Sequence, residues 1–227
     1  MESNSRRSIE RGTMNIHIVT PFYRKHLLKT LIHYLQPMNI IWHPVCDPVD
    51  IQAFKNNIIG WIQPVLCKPL EWSSLRKIND FIETQTIIDG DYYCCMGDDD
   101  MYEEGIFDEI RKQTAKVIFI SLCRGNEIPK GSPHPTNPLI IKGPEDVKIC
   151  AIGLPQYIVK GSIFKQMKMD TTTCHADGTF AEELKDRFPN DCIYRPDLFT
   201  FGNYFEPGRF TNDSFKIKPN WRLPEIL

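Results

Sequence analysis

From Met14 to Cys123 the chain alternates short apolar runs with longer segments whose apolar residues recur every three or four positions. MNIHIVT, from Met14, alternates in the manner of a first, central strand. In RKHLLKTLIHYL, the residues Leu27, Leu28, Leu31, Ile32 and Leu35 fall along one helical face. NIIWHPV reads as a second strand ending at Cys46-Asp47-Pro48, and after a short polar helix NNIIGWIQPVL carries a third extended segment. SSLRKINDFIETQTII puts Leu75, Ile78, Ile82 and Gln85 at helical spacing, with Ser73 or Ser74 able to cap the helix and Asp89-Gly90 ending it. Tyr92 to Met96 is an uninterrupted apolar strand running into Gly97, and KVIFISLC is the strand after it. The order β-α-β-α-β-α-β predicts an α/β fold with a mostly parallel central sheet flanked by helices.

The pattern changes at Arg124. Up to Lys148 the chain carries five prolines and three glycines, a stretch too long for a simple connection and suited to a lid or binding loop. Beyond it come the strand-like AIGLPQYIVKG, a short helix near Ser162, the helix TFAEELKDRF and the strand CIYRPDLFTFG. These are too few elements for an independent core, so they are expected to extend the first sheet. The organisation read here is a mobile N-terminal extension over 1–13 and a single domain over 14–227. Within that domain, 14–123 is the nucleotide-binding half and 124–227 the acceptor and catalytic half.

Composition narrows the classes. The 227 residues are 41% hydrophobic and 25% charged, ordinary globular values. A net charge of −2 gives no general attraction to nucleic acid or anionic membrane. The eight cysteines are scattered, several inside apolar runs and none in a CxxC pair, which points to reduced thiols in a cytoplasmic protein and away from zinc. No apolar run approaches the length of a membrane span.

The chemistry concentrates where the apolar strand meets Asp98, Asp99 and Asp100. Three adjacent carboxylates cannot all be buried and ionised without donors or a cation. At the C-terminal end of a central strand they sit where open α/β sheets bind ligands. Hard oxygen donors suit Mn²⁺ or Mg²⁺, which complete their coordination with phosphate and water. A competing reading makes the acids a solvated turn that caps the helix in YEEGIFDEIRKQ. Thr20-Pro21-Phe22-Tyr23, Asp47 and the loop after Cys123 share the same rim. There Tyr23 can flank a base and Asp47 can accept from a ring N–H or a ribose hydroxyl. Arg76, Lys77 and Asn79 open the helix leading to the triplet, where their polar groups can approach a diphosphate. Glu182 and Glu183, read as opening a helix after Gly178, offer a general base, and His175 a ligand or proton shuttle.

Taken in order, these pieces resemble the GT-A superfamily of nucleotide-sugar glycosyltransferases from Met14 to about Phe188. IVTPFYRK looks like the TPTYRR-type opening of the eukaryotic β-glucuronyltransferase family, in which Pro and Tyr line the uracil pocket. IIWHPVCDP is similar to that family's strand with a uracil-contacting Asp, here Asp47. RKINDFI is similar to an Arg/Asn helix found there and in the family-two glycosyltransferases. GDYYCCMGDDDMYEEGIFDEIRK looks like the DxD motif, which implies that Asp100 ligates the metal while Asp98 and Asp99 contact ribose or donor sugar. FAEELKDRF resembles the acid pair that supplies the base in inverting members. The chain departs from the pattern in its Glu-Glu pair and in lacking a histidine after the base helix, for which Asn203, Tyr204 or Arg209 could substitute. It also has no counterpart of the eukaryotic membrane anchor, which implies a bacterial, viral or otherwise cytosolic relative.

The resemblance implies a GT-A fold and an inverting, metal-dependent transfer from a UDP-sugar to a carbohydrate or other hydroxyl acceptor. Thr20, Pro21, Tyr23, Asp47, Arg76, Asn79, Asp98 and Asp99 would hold the nucleotide. Two alternatives are an enzyme of sugar-nucleotide or phosphoryl transfer on the same sheet and an inactive nucleotide-sugar-binding module. A pyrophosphorylase would carry a Gly-rich loop after the first strand, and TPFYRKHLL has no glycine.

Overall fold

A computed structural model describes residues 14–54, 60–67, 74–124, 138–149, 151–171 and 176–202. Ser73, Cys150, Cys174, His175, Asn203, Tyr204, Arg209 and most of the proline-rich loop lie outside the described residues.

The strands are β1 (Ile16–Pro21), β2 (Ile41–Cys46), β3 (Val65–Leu66), β4 (Tyr92–Cys95), β5 (Met101–Tyr102), β6 (Val117–Arg124), β7 (Tyr157–Lys160) and β8 (Cys192–Gly202). They form one sheet in the order β3-β2-β1-β4-β7-β6-β8-β5. β1 pairs in parallel with β2 and β4, β2 with β3, and β6 with β8, whereas β7 is antiparallel to both β4 and β6, and β5 to β8. All strands except β5 and β7 therefore point the same way. The sequence reading had not anticipated that a strand from the second half would separate β4 from β6. After Leu154–Gln156 tightens into a 3-10 turn, the chain enters the sheet in reverse between them.

The α-helices are α1 (Leu28–Leu35), α2 (Ser74–Thr84), α3 (Ile106–Arg111), α4 (Gly161–Phe164) and α5 (Ala176–Arg187). Strand alternation divides the apolar residues between two cores. Ile16 and Ile18 of β1, Cys94 of β4, and Ile118 and Ile120 of β6 pack with Leu28, Leu31, Leu35, Ile106 and Ile110 on one face. Val19, Cys95, Val117 and Phe119 pack with Ile78, Phe81, Ile163, Phe164, Phe180 and Leu184 on the other. At the roughly 25 cal/mol per Å² that governs apolar burial, these two layers are the main stabilising term. The described cysteines Cys46, Cys67, Cys94, Cys95, Cys123 and Cys192 are free thiols.

Helix limits differ from the sequence reading in two places. α2 stops at Thr84, whose hydroxyl donates back to the Asp80 carbonyl, and does not run on to Asp89-Gly90. The β-branched Thr86, Ile87 and Ile88 instead form an irregular link, whose Ile88 carbonyl lies where a Cβ on Gly161 would be, 2.0 Å away. α5 begins at Ala176, so Gly178 is inside it and Asp177 is its first-turn acid. Glu182 and Glu183 stand beyond that first turn and do not open the helix.

Candidate nucleotide and metal site

β4 lies in the middle of the sheet, buried along its whole length, and it delivers Gly97 and the three acids to the rim where β1 and β2 also end. β5 follows the acids, and α3 starts only after Gly105, which takes φ 78°. The acids therefore do not cap that helix. Asp98 is 1% exposed, and its Oδ2 accepts the backbone N–H groups of Tyr23 and Arg24 at 2.7 Å each. The Arg24 guanidinium donates to Asp98 Oδ1 and places Nη2 3.1 Å from Asp99 Oδ2. That second contact is an ion pair without hydrogen-bond alignment, since Asp99 Oδ2 is buried with no donor directed at it. Asp100 Oδ2 accepts the Gly97 N–H at 2.8 Å and closes the turn on itself.

Electrostatics follow from this crowding. Burial, and then the Asp100 charge, raise the Asp99 carboxyl to about 7 against the opposing pull of Arg24. Such a carboxyl is one that an added cation would ionise. Among the described residues no three His, Cys, Asp or Glu side chains converge in a metal-holding arrangement. Mg²⁺ and Mn²⁺ at diphosphate sites need only one or two carboxylates, with phosphates and waters for the rest. The donor chemistry of the triplet, with its underserved Asp99 oxygen, fits such an ion.

A second cluster stands beside the first. Lys77 of α2, 2% exposed, donates to the Phe22 carbonyl and to Asp47 Oδ2, both at 3.0 Å. Its ammonium also lies 3.8 Å from the centre of the Tyr23 ring. Burial raises the Tyr23 phenol to about 12. Asp47 also takes the Cys67 thiol at 3.5 Å. Thr20 accepts the Trp42 indole N–H at 3.0 Å, and Pro21 is buried at the end of β1.

The structure thus brings together Tyr23, Asp47 and the acid triplet, with Thr20 and Pro21 underneath. Asn79 is engaged elsewhere: its amide donates to the Met169 carbonyl at 2.8 Å and accepts the Met169 N–H at 2.9 Å. Arg76 is exposed on α2. Glu182 accepts the Ile149 N–H at 3.0 Å, and Glu183 pairs with Arg187 at 2.7 Å on the same helix. Arg24 was not singled out by the sequence reading, and Lys77 was read only as a group able to approach a diphosphate. Arg24 could have been found from its position beside Tyr23. Tyr157, in a segment read from the sequence as shaping the sugar or acceptor pocket, is a buried phenol with no hydrogen-bond partner, and burial raises it well above its ordinary value.

No protein-family model matches the sequence, and no curated protein matches it significantly. Among solved structures the fold is similar to that of S. aureus TarS 1-349, with a TM-score of 0.54 and 13% identity over 82% of this chain and 60% of that one. A Bacillus anthracis structure described as a glucose-1-phosphate thymidylyltransferase in complex with a sucrose gives a TM-score of 0.46 and 9% identity over 82% of this chain and 88% of that one. The chain spans 60% of the length of the TarS structure. At 13% identity, what it shares with TarS is a mixed α/β architecture of helices around a central sheet.

Proposed function

We propose that this chain is a metal-dependent glycosyltransferase that takes its sugar from a UDP-sugar. The observation that carries the reading is the delivery of Asp98, Asp99 and Asp100 by a buried central strand to the rim that also holds Tyr23 and Asp47. Fold likeness to the TarS structure supports the α/β architecture that the reading requires.

In this reading Tyr23 and Asp47 hold the base, and Asp98 and Asp99 meet the ribose and donor sugar. Asp100, with its neighbours, would hold Mn²⁺ or Mg²⁺, whose charge when bound neutralises the departing diphosphate. A carboxylate of the Glu182–Glu183 pair removes the acceptor hydroxyl proton. The acceptor oxygen then bonds to the anomeric carbon as the bond to the diphosphate oxygen breaks, so the proton ends on the carboxylate and configuration inverts. The other rim residues fix the two reactants in line.

Calorimetric titration with UDP, first with Mn²⁺ and then with EDTA, tests the site, and a screen of UDP-sugars for slow hydrolysis tests the chemistry. Metal-dependent UDP binding that Asp100→Ala abolishes is the expected result. UDP affinity indifferent to both EDTA and Asp100→Ala would overturn the reading.

A further inference from the structure

Arg24 closes the acid triplet from outside. It follows β1 directly, and its backbone N–H and that of Tyr23 anchor Asp98 Oδ2 at 2.7 Å, so the start of its side chain is fixed. The guanidinium then spans two adjacent carboxylates, donating to Asp98 Oδ1 and lying 3.1 Å from Asp99 Oδ2. Both acids are buried, whereas the Arg24 side chain is 30% exposed. The guanidinium can therefore swing outward without opening the core. The acids cannot follow it, because Asp98 stays tied by the two backbone donors and Asp99 sits in the interior. Asp99 Oδ2, buried and without an aligned donor, is the oxygen left most in need of a cation when the guanidinium leaves.

We propose that Arg24 is a resident counter-cation which competes with a divalent metal ion for the negative charge of the acid triplet, and which turns to the donor's diphosphate once the ion is bound. This rests on the reading of the triplet as a nucleotide-diphosphate site. A guanidinium and a divalent ion within a few ångströms repel each other strongly at the reduced dielectric of a buried site. Entry of the ion drives the guanidinium away from the carboxylates, and the nearest compensating charge is the diphosphate. Arginine suits that second position because its planar fork matches phosphate oxygens in pairs. Metal and nucleotide then help each other to bind, since each relieves a repulsion the other creates. Arg24 acts here as a positioning residue for the donor.

The test uses Mn²⁺ alone, followed by the electron paramagnetic resonance signal of the free ion, on the whole chain and on Arg24→Gln and Arg24→Lys. Arg24→Gln is expected to bind Mn²⁺ about tenfold more tightly than the parent, with UDP at saturating Mn²⁺ about tenfold weaker. Arg24→Lys, which keeps the charge but loses the fork, is expected to lie between the two. A purely structural role would not tighten the metal site. Equal or weaker Mn²⁺ binding by the glutamine variant overturns the proposal. If that variant does not fold, the lysine variant decides, and Mn²⁺ binding no tighter than the parent's overturns it. Tighter Mn²⁺ binding without UDP binding in any of the three proteins would sustain the competition with the ion, overturn the turn to the diphosphate and discard the UDP reading. Parental UDP binding with unaltered Mn²⁺ affinity in the variants would overturn both parts of the Arg24 proposal and leave the UDP reading standing, and absence of Mn²⁺ uptake by all three proteins would overturn both the proposal and the metal site.

Discussion

The Lys77 ammonium lies 3.0 Å from Asp47 Oδ2 while its side chain is almost wholly buried, so α2 and the end of β2 are joined by a charge pair under the candidate base pocket. The same ammonium faces the Tyr23 ring and the Phe22 carbonyl, which makes Lys77 the common anchor of the two rim segments. Replacing it by Met leaves Asp47 unpaired and frees both segments. Lys77→Met is expected to cost about 2 kcal/mol of stability, less than for a fully buried pair because Asp47 keeps some solvent. UDP affinity should fall about tenfold through loss of positioning. Urea unfolding and calorimetry measure the two effects, and an unchanged UDP affinity in the folded variant would sink the anchoring role.

A buried polar chain at the opposite rim predicts acid sensitivity. Asp91 Oδ2 lies 3.1 Å from His17 Nε2, and His17 Nδ1 lies 2.8 Å from His43 Nε2. The carboxylate fixes His17 as the Nε2–H tautomer, so its Nδ1 accepts from His43, whose own Nδ1 is left buried without a partner. Burial first, and then the neighbouring His17, lower His43 to about 3, and burial also lowers His17. The unfolded chain takes up protons below its ordinary histidine value of about 6.5 and the folded chain does not, so folded stability is full above that pH and declines beneath it. Between pH 6.5 and 5 the loss should be about 2 kcal/mol for His43, read as a falling urea midpoint. His43→Gln should flatten that decline, and a slope as steep as the parent's would exclude His43 as its source.

The base carries its own expectation. One of Glu182→Gln and Glu183→Gln should lower kcat by about a hundredfold or more with UDP binding intact. If both keep parental kcat, the role passes to Asp177, the acid that α5 presents in its first turn.

Among the described glycines, a Cβ on Gly161 would meet backbone most closely, so Gly161→Ala should push α4 off the link after α2. A cost of about 2 kcal/mol in urea unfolding is expected from the forced displacement. Parental stability would show that the link yields freely.

The layered α/β organisation was legible because strands and helices here keep clean periods. Ile16, Ile18 and Val19 alternate between cores as a strand must, and Leu28, Leu31 and Leu35 share a helical face. The place of the acid triplet, at the end of a buried strand on the rim, was legible too, because the apolar run Tyr92 to Met96 ends directly before it. Asn79 shows where legibility ended. An amide at a helix start looks the same in sequence whether it meets a phosphate or, as here, the backbone of Met169 ninety residues on. The position of β7 was hidden for a related reason. Nothing local in YIVK distinguishes an edge strand from one inserted in reverse between β4 and β6, because that choice depends on partners far away in the chain.

That insertion also dictates when the site can exist. The acid-bearing strand is flanked on one side by β1, laid down early in synthesis, and on the other by β7, which emerges only after the proline-rich stretch. A nascent chain that has just released Asp98 to Asp100 from the ribosome still has β4 as an open edge, with half its backbone ladder unpaired. The rim that carries the acids is therefore completed late, by a long-range pairing that a truncated first half cannot supply, and folding should be limited by the slow closure of that distant contact.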